Sequence, residues 1–202
     1  LANLRRYVPP RLAAVEDVSD DAALLTVLGP EAAAVLGEVL LASDRGVEAL
    51  ESLGEDEYLV SGEGGERILR TSDVDTPAWD LLTSKERSRE LWKQLLYRGV
   101  RPVGAGVWDT LRVEAGRPVF GQDMDESKIL SEVGIVDRAV DHSKGCYTGQ
   151  EVIIRIRDRG HTNKTLRGLC LGDGPAPGTD AELFHDGAVV GHVTSAVDSP
   201  RY

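Results

Sequence analysis

Residues 144–151 read Lys-Gly-Cys-Tyr-Thr-Gly-Gln-Glu, which sets a thiol beside an ammonium and between two glycines. Thr148 and Glu151 stand at capping-box spacing, a hydroxyl for the first free N–H groups of a helix and a carboxylate reaching back. Tyr147 and Val152 are placed for the accompanying hydrophobic staple. A helix starting here would put Cys146 near the positive end of a dipole and next to Lys144. Both favour the thiolate, the form that reacts or binds metal. A free cysteine is also often just a small buried residue, and the local pattern leaves both readings open. Gly145 and Gly149 let the backbone turn tightly around the thiol.

The elements that must position this segment follow from periodicity and punctuation. Leu24–Leu28 is an apolar run suited to a buried strand, closed by Gly29, and Pro30 and Glu31 then open an alanine-rich helix over 32–42. Residues 57–61 and 66–71 read as two strands joined by a glycine-rich turn at 62–65. Thr83 and Glu86 suggest a second capping box. Leu91, Trp92, Leu95 and Leu96 line one helical face as core candidates, and Gly99 is the C-cap. Composition shifts after Arg101-Pro102 to a glycine-rich, irregular stretch that holds a short helix ending at Glu114-Ala115-Gly116. Gly104-Ala105-Gly106 lacks the third glycine and the preceding strand of a dinucleotide fingerprint. After Thr165 the pattern becomes short β segments (166–171, 181–185, 189–195), with Asp186-Gly187 as a hairpin turn.

Bulk properties narrow the classes. The 202 residues suffice for one large domain or two small ones, and no run reaches the length of a membrane span. The start has no secretory h-region, and two cysteines without CxxC spacing point to a reducing, cytoplasmic setting. His142, His161, His185 and His192 fall in different segments, which predicts no metal site. A net charge of −11 argues against indiscriminate nucleic-acid binding. Yet Lys144–Arg167 holds six basic residues against Glu151 and Asp158, a strip suited to a small anionic ligand or simply a solvated face.

The octapeptide resembles the signature of the YgfZ family of folate-binding proteins, relatives of the glycine-cleavage T-protein (aminomethyltransferase, GcvT). Three further pieces follow in the family's order. Leu111–Pro118 is similar to its Arg-x-Glu-Ala-Gly-x-Pro element, Arg159-Gly160 with Leu166–Leu169 to its barrel entry, and Gly191–Ser195 to its Gly-x-Val-Thr-Ser strand. Leu130 stands where a proline is usual, while Glu132 keeps its place. The family carries a segment ahead of Arg6-Tyr7-Val8, where the T-protein's catalytic aspartate lies, and continues past Ser199-Pro200. Against that pattern the chain reads as a member cut at both ends.

The resemblance implies an α+β, GcvT/YgfZ-like fold built as a three-lobed ring around a folate funnel. Residues 1–100 would be a ferredoxin-like lobe, 101–160 the returning folate-binding segment with the signature, and 161–202 a partial C-terminal β-barrel. It implies tetrahydrofolate as cofactor, held by Glu114 with Tyr147, Gln150 and Arg155, and chemistry at Cys146 with Lys144. Glu114 matches the family's pterin-holding glutamate, because a carboxylate accepts two adjacent hydrogen bonds from a pterin edge. Arg155, helped by Lys144 or Arg157, would pair with the anionic glutamyl tail or a partner's acidic surface. Tyr147 either stacks on a ring or staples the helix. The function implied first is assistance in iron–sulfur cluster assembly or repair, with iron–sulfur proteins as partners and Cys146 as the thiol. Two others are implied: aminomethyl transfer to tetrahydrofolate, and a folate-binding module without chemistry.

Overall fold

A computed structural model describes residues 2–202 apart from 42, 43, 56, 62–64 and 173. The chain divides into two compact units, Leu1–Val103 and Gly104–Tyr202.

The first unit runs α1 (Ala2–Tyr7), β1 (Ala22–Leu28), α2 (Ala32–Leu36), a π-helical turn (Gly37–Leu41) and α3 (Asp44–Glu51). It continues with β2 (Tyr58–Val60), β3 (Arg67–Arg70), β4 (Ala78–Ser84) and α4 (Lys85–Tyr97). The strands form one antiparallel sheet in the order β1-β4-β3-β2, with Leu25 opposite Leu81 and Ile68 opposite Leu81 on the other side. No strand follows α4 before the second unit among the described residues.

The core lies against one face of that sheet. Val27, Ile68, Trp79 and Leu81 meet Ala33 and Leu36 of α2, Leu50 of α3 and Leu95 of α4, all buried. Gly37 is required by close approach, since a Cβ there would sit 2.7 Å from a Val47 methyl of α3. The Trp79 indole N–H donates to the Leu50 carbonyl at 3.2 Å, so the largest core side chain leaves no polar atom unpaired. A buried polar cluster joins the strands to α4: Glu66 accepts from the Ser61 hydroxyl and from Arg87 Nε. Burial alone would raise the Glu66 carboxyl. The hydrogen bonds from Arg87 and Ser61 outweigh it and hold the pKa below the ordinary value.

Several expectations shift. The α4 cap is Ser84, whose hydroxyl accepts from the Arg87 N–H at 3.2 Å, not Thr83, because β4 continues through Thr83 in register with Ala23. Leu91 and Leu95 are buried, but Trp92 and Leu96 are 45% and 43% exposed, so the apolar arc is wider than the face the sheet covers. β1 is buried on one face only, with Leu24 exposed on the other. The helix read over 32–42 changes to a π-helical turn at Gly37, and residue 42 lies outside the described residues, as does most of the 62–65 turn.

The second unit comprises α5 (Ala105–Glu114), a 3₁₀ turn (Leu130–Glu132), α6 (Val136–Ala139), α7 (Gln150–Arg159), β5 (Glu182–His185) and β6 (Ala188–His192). β5 and β6 pair through Asp186-Gly187, both at positive φ (50° and 79°), as a two-residue primed turn demands. Residues 166–171 form no strand, and the described residues contain an open two-stranded hairpin in place of a barrel. Their apolar runs meet no described partner strand, and Leu169 and Leu171 stay exposed. The whole is a mixed α/β fold. No helix among the described residues is long and apolar enough to cross a membrane.

Leu81→Ala should remove about 2–5 kcal/mol of stability by urea unfolding, through the cavity it leaves in the sheet core. Leu24→Ala, on the open face, should stay within about 0.5 kcal/mol; equal losses would mean the two faces are equally covered.

Candidate functional site

The second unit is organised around charge. Its buried apolar residues among those described are Val133 and Ile153, and beside them Arg112 (3% exposed) and Asp123 (7%) are buried. Arg112 lies near the end of α5. Its Nε–H donates to Asp109 (2.9 Å), one terminal nitrogen to Asp123 (2.9 Å) and the Arg117 carbonyl (3.3 Å), and the other to Gln122 and Ser195 (both 3.1 Å). These bonds use all five guanidinium donors.

Asp123 mirrors that saturation. One carboxylate oxygen accepts from Arg112 and from the Val119 N–H (2.9 Å), the other from the Thr194 and Ser195 hydroxyls (both 2.6 Å). Burial would raise its pKa. The hydrogen bonds of Ser195, Thr194 and Val119, with the Arg112 charge, overcome that and hold the carboxyl below its ordinary range. The pair therefore ties the end of α5, the turn at 119–123 and the residues just after β6 into one frame.

Glu114, the last residue of α5, is carried by this frame and is half-buried. One of its oxygens accepts from the Ser199 hydroxyl, and Ser199 in turn accepts from the N–H groups of Arg201 (3.0 Å) and Tyr202 (3.1 Å). Gly116 follows at φ 65° and ends the helix. A carboxylate offers about four acceptor sites, so the Ser199 contact leaves room for two further donors.

The octapeptide is held by other partners. Gly149, at φ 90°, is the N-cap of α7, so the helix begins one residue later than a Thr148 cap requires. No side chain caps it; the Gln150 side chain instead accepts from the Tyr147 N–H (3.3 Å). The shifted start also removes the Tyr147–Val152 staple, leaving Val152 exposed and Ile153 buried. Lys144 lies over the Tyr147 ring at 5.6 Å, and Cys146 is exposed. Lys144 and Gln150 are thus both brought to Tyr147, the neighbour of Cys146 in the chain. Arg155 is exposed on α7, while Arg157 binds Asp158 (2.7 Å) and contacts His142 (3.2 Å). No hydrogen bond or ion pair among the described residues joins Glu114 to Lys144, Cys146, Tyr147, Gln150 or Arg155. No group of three or more His, Cys, Asp or Glu side chains that could hold a metal ion occurs among the described residues.

Residues 1–144 match the profile of the GCVT N-terminal domain. The chain belongs to that family. The matched region of the GCVT N-terminal domain contains Arg112, Glu114, Asp123 and Lys144, and stops two residues before Cys146. Similarity to individual proteins runs further. An aminomethyltransferase of Synechocystis sp. (strain PCC 6803) is 31% identical over 187 residues, covering 92% of this chain and 48% of that protein. One of Synechococcus sp. (strain CC9311) is 33% identical over 187 residues (92% and 50%). One of Rubrobacter xylanophilus is 32% identical over 168 residues (82% and 44%). The chain spans about half the length of the curated relatives it matches.

Sequence reasoning singled out Glu114 but passed over the buried pair Arg112 and Asp123, whose partners lie up to 83 residues away in the chain. The only available signal was that Arg112, Thr194 and Ser195 fall inside segments already singled out, with a tight Gly121-Gln122-Asp123 turn between them.

Asp123→Asn should cost about 3–5 kcal/mol at neutral pH, because it leaves the buried guanidinium with only the half-exposed Asp109 as counter-charge. The lowered carboxyl contributes stability above its unfolded pKa and loses it as pH falls through the folded value, so the variant's deficit should begin to shrink only below the unfolded pKa of about 3.9. Hydrogen exchange at the Val119 amide reads this directly; a deficit independent of pH would contradict it.

Proposed function

We propose that this chain is a tetrahydrofolate-binding member of the GCVT family that serves aminomethyl-type one-carbon transfer. The observation that carries the reading is Glu114, a half-buried carboxylate with spare acceptor capacity, fixed at the end of α5 by the Arg112–Asp123 frame. Its carboxylate oxygens, as acceptors, fit a pterin edge, where an N–H and an amino group lie side by side as donors. Relatives named aminomethyltransferase, about 30% identical across most of the chain, support transfer chemistry over the alternatives.

Bound tetrahydrofolate would supply the nitrogen that receives the one-carbon unit. The protein's part is to orient the pterin through Glu114 and to attract the glutamyl tail with exposed Arg155. We assign 101–160 to the folate-binding segment and 161–202 to the segment that holds the hairpin and, after it, Thr194, Ser195 and Ser199. Two free cysteines, both exposed, suit a reducing cytoplasmic setting.

One observation favours a second reading. The octapeptide presents Cys146 to solvent beside Lys144, in a segment resembling the YgfZ signature and outside the matched domain. Under that reading Cys146 serves iron–sulfur assembly or repair, with iron–sulfur proteins as partners, and the folate site is retained.

Glu114→Gln should weaken tetrahydrofolate binding about tenfold or more by calorimetry, since an amide turns a donor towards a donor edge; unchanged affinity would remove Glu114 from the site. Cys146→Ala separates the two readings. Transfer from an aminomethyl-lipoyl donor should survive it, whereas loss of iron–sulfur enzyme maturation with transfer absent would favour the second.

A further inference from the structure

The four-stranded sheet ends differently at its two sides. On one side stands β2, three residues long, and so short an edge strand resists further pairing. On the other stands β1, seven residues paired to β4 without a register shift. The Gly29 N–H donates to the Pro77 carbonyl (2.9 Å) and the Lys85 N–H to the Asp21 carbonyl (3.0 Å). Ala23, Leu25 and Val27, which alternate between those two bonds, therefore turn their backbone groups towards β4. The N–H and C=O groups of Leu24, Thr26 and Leu28 point the other way, off the edge of the sheet. No backbone group among the described residues bonds to them.

Edge strands of natural proteins are usually guarded by a charge, a proline or a bulge. β1 reads Ala-Ala-Leu-Leu-Thr-Val-Leu and has none of these. It is also complementary to its own reverse. In an antiparallel pair centred on Leu25, the Leu25 side chains of two copies meet and Leu24 stands opposite Thr26. Ala23 then stands opposite Val27 and Ala22 opposite Leu28, small against large at each end. Side chains alternate along a strand, so this register keeps Ala23, Leu25 and Val27 on the core face of both copies. Leu25, only partly buried where it packs on the core, would gain a second Leu25 beside it.

We propose that β1 pairs antiparallel with β1 of a second copy of this chain, across a two-fold axis at Leu25, joining the two sheets into one. The backbone groups of Leu24 and Thr26 bond reciprocally across the seam, and each Leu28 N–H reaches the Ala22 carbonyl opposite. A foreign strand could meet the same backbone groups, but the small-to-large match belongs to β1 against itself. The strand carries no charge, so like charges approach only at the ends of the seam. Asp20, Asp21 and Glu31 are exposed there, with the Lys85 ammonium 4.0 Å from Asp20. Asp80 lies one strand in, bonded by the Thr26 hydroxyl at 2.6 Å. Its counterpart stays at least three strand spacings (about 14 Å) away. Each copy carries a net charge of −11, so salt strengthens the association. One strand pair makes a smaller seam than a standard interface, which places the affinity in the micromolar range.

The test is sedimentation velocity of the full chain between about 1 and 500 µM, with amide hydrogen exchange at both ends of that range. A monomer–dimer equilibrium is expected, shifted towards dimer by added salt. The amides of Leu24, Thr26 and Leu28 should gain protection with concentration, whereas Leu25 and Val27, already bonded to β4, should be protected throughout. Leu24→Lys sets a cation at an exposed edge position in both copies and should weaken association about tenfold or more. Leu69→Lys, on the same open face but two strands from the seam, should leave association unchanged. Both side chains are exposed, so circular dichroism should show both variants folded. A monomer across the whole range would overturn the proposal, as would undiminished association of Leu24→Lys. Loss of association in Leu69→Lys would assign the contact to the open sheet face and overturn it too. Protection of Leu24, Thr26 and Leu28 in the dilute monomer would show the edge covered within one chain, with the same consequence.

Discussion

The buried Arg112–Asp123 pair is the constraint on which the second unit depends. Taking both charges out of water costs several kcal/mol each, and only complete hydrogen bonding offsets that. Here every guanidinium donor and both carboxylate oxygens are engaged, by groups from α5, the 119–123 turn and the segment after β6. A unit with so few buried apolar side chains gains from this pair what the first unit gains from Leu36, Ile68, Trp79 and Leu81: a reason for distant segments to adopt one arrangement. Specificity of arrangement, more than net stability, is what a saturated buried network provides.

That frame would pre-orient Glu114 for the ligand role proposed for it. A glutamate at the last turn of a helix would ordinarily swing with the helix end. Two residues before it, Arg112 pins the turn from five directions, and Ser199 holds one carboxylate oxygen. A pre-oriented acceptor loses less entropy on binding a pterin edge than a free side chain does. The octapeptide works differently. Apart from half-buried Tyr147 and Gln150 its residues are exposed, and Gly149 and Gln150 organise it locally.

What could be read from the sequence was whatever depended on local pattern. The hairpin at Asp186-Gly187, the end of α5 at Gly116 and the β2–β3 pair all follow from turn residues and alternation. Boundaries slipped by one residue at Ser84 and Gly149, because a competing element, β4 in one case and a left-handed glycine in the other, decided where the helix could start. β4 itself was missed. Its run Ala-Trp-Asp-Leu-Leu-Thr-Ser carries Asp80 between apolar residues, and only pairing with Thr26 across the sheet, at 2.6 Å, makes that aspartate acceptable. Residues 166–171 show the opposite failure, a strand-like pattern with no strand beside it among the described residues. The Arg112–Asp123 frame was illegible because each member looks like an ordinary charged residue until the chain folds.

The most direct test of the account is a proton–nitrogen NMR titration of the chain with tetrahydrofolate. Saturable shifts are expected at the amides of Glu114, Ala115 and Gly116, while the protected Arg112 Nε–H signal persists unchanged. Binding that leaves those amides untouched, or that releases the Arg112 proton to solvent, would contradict it.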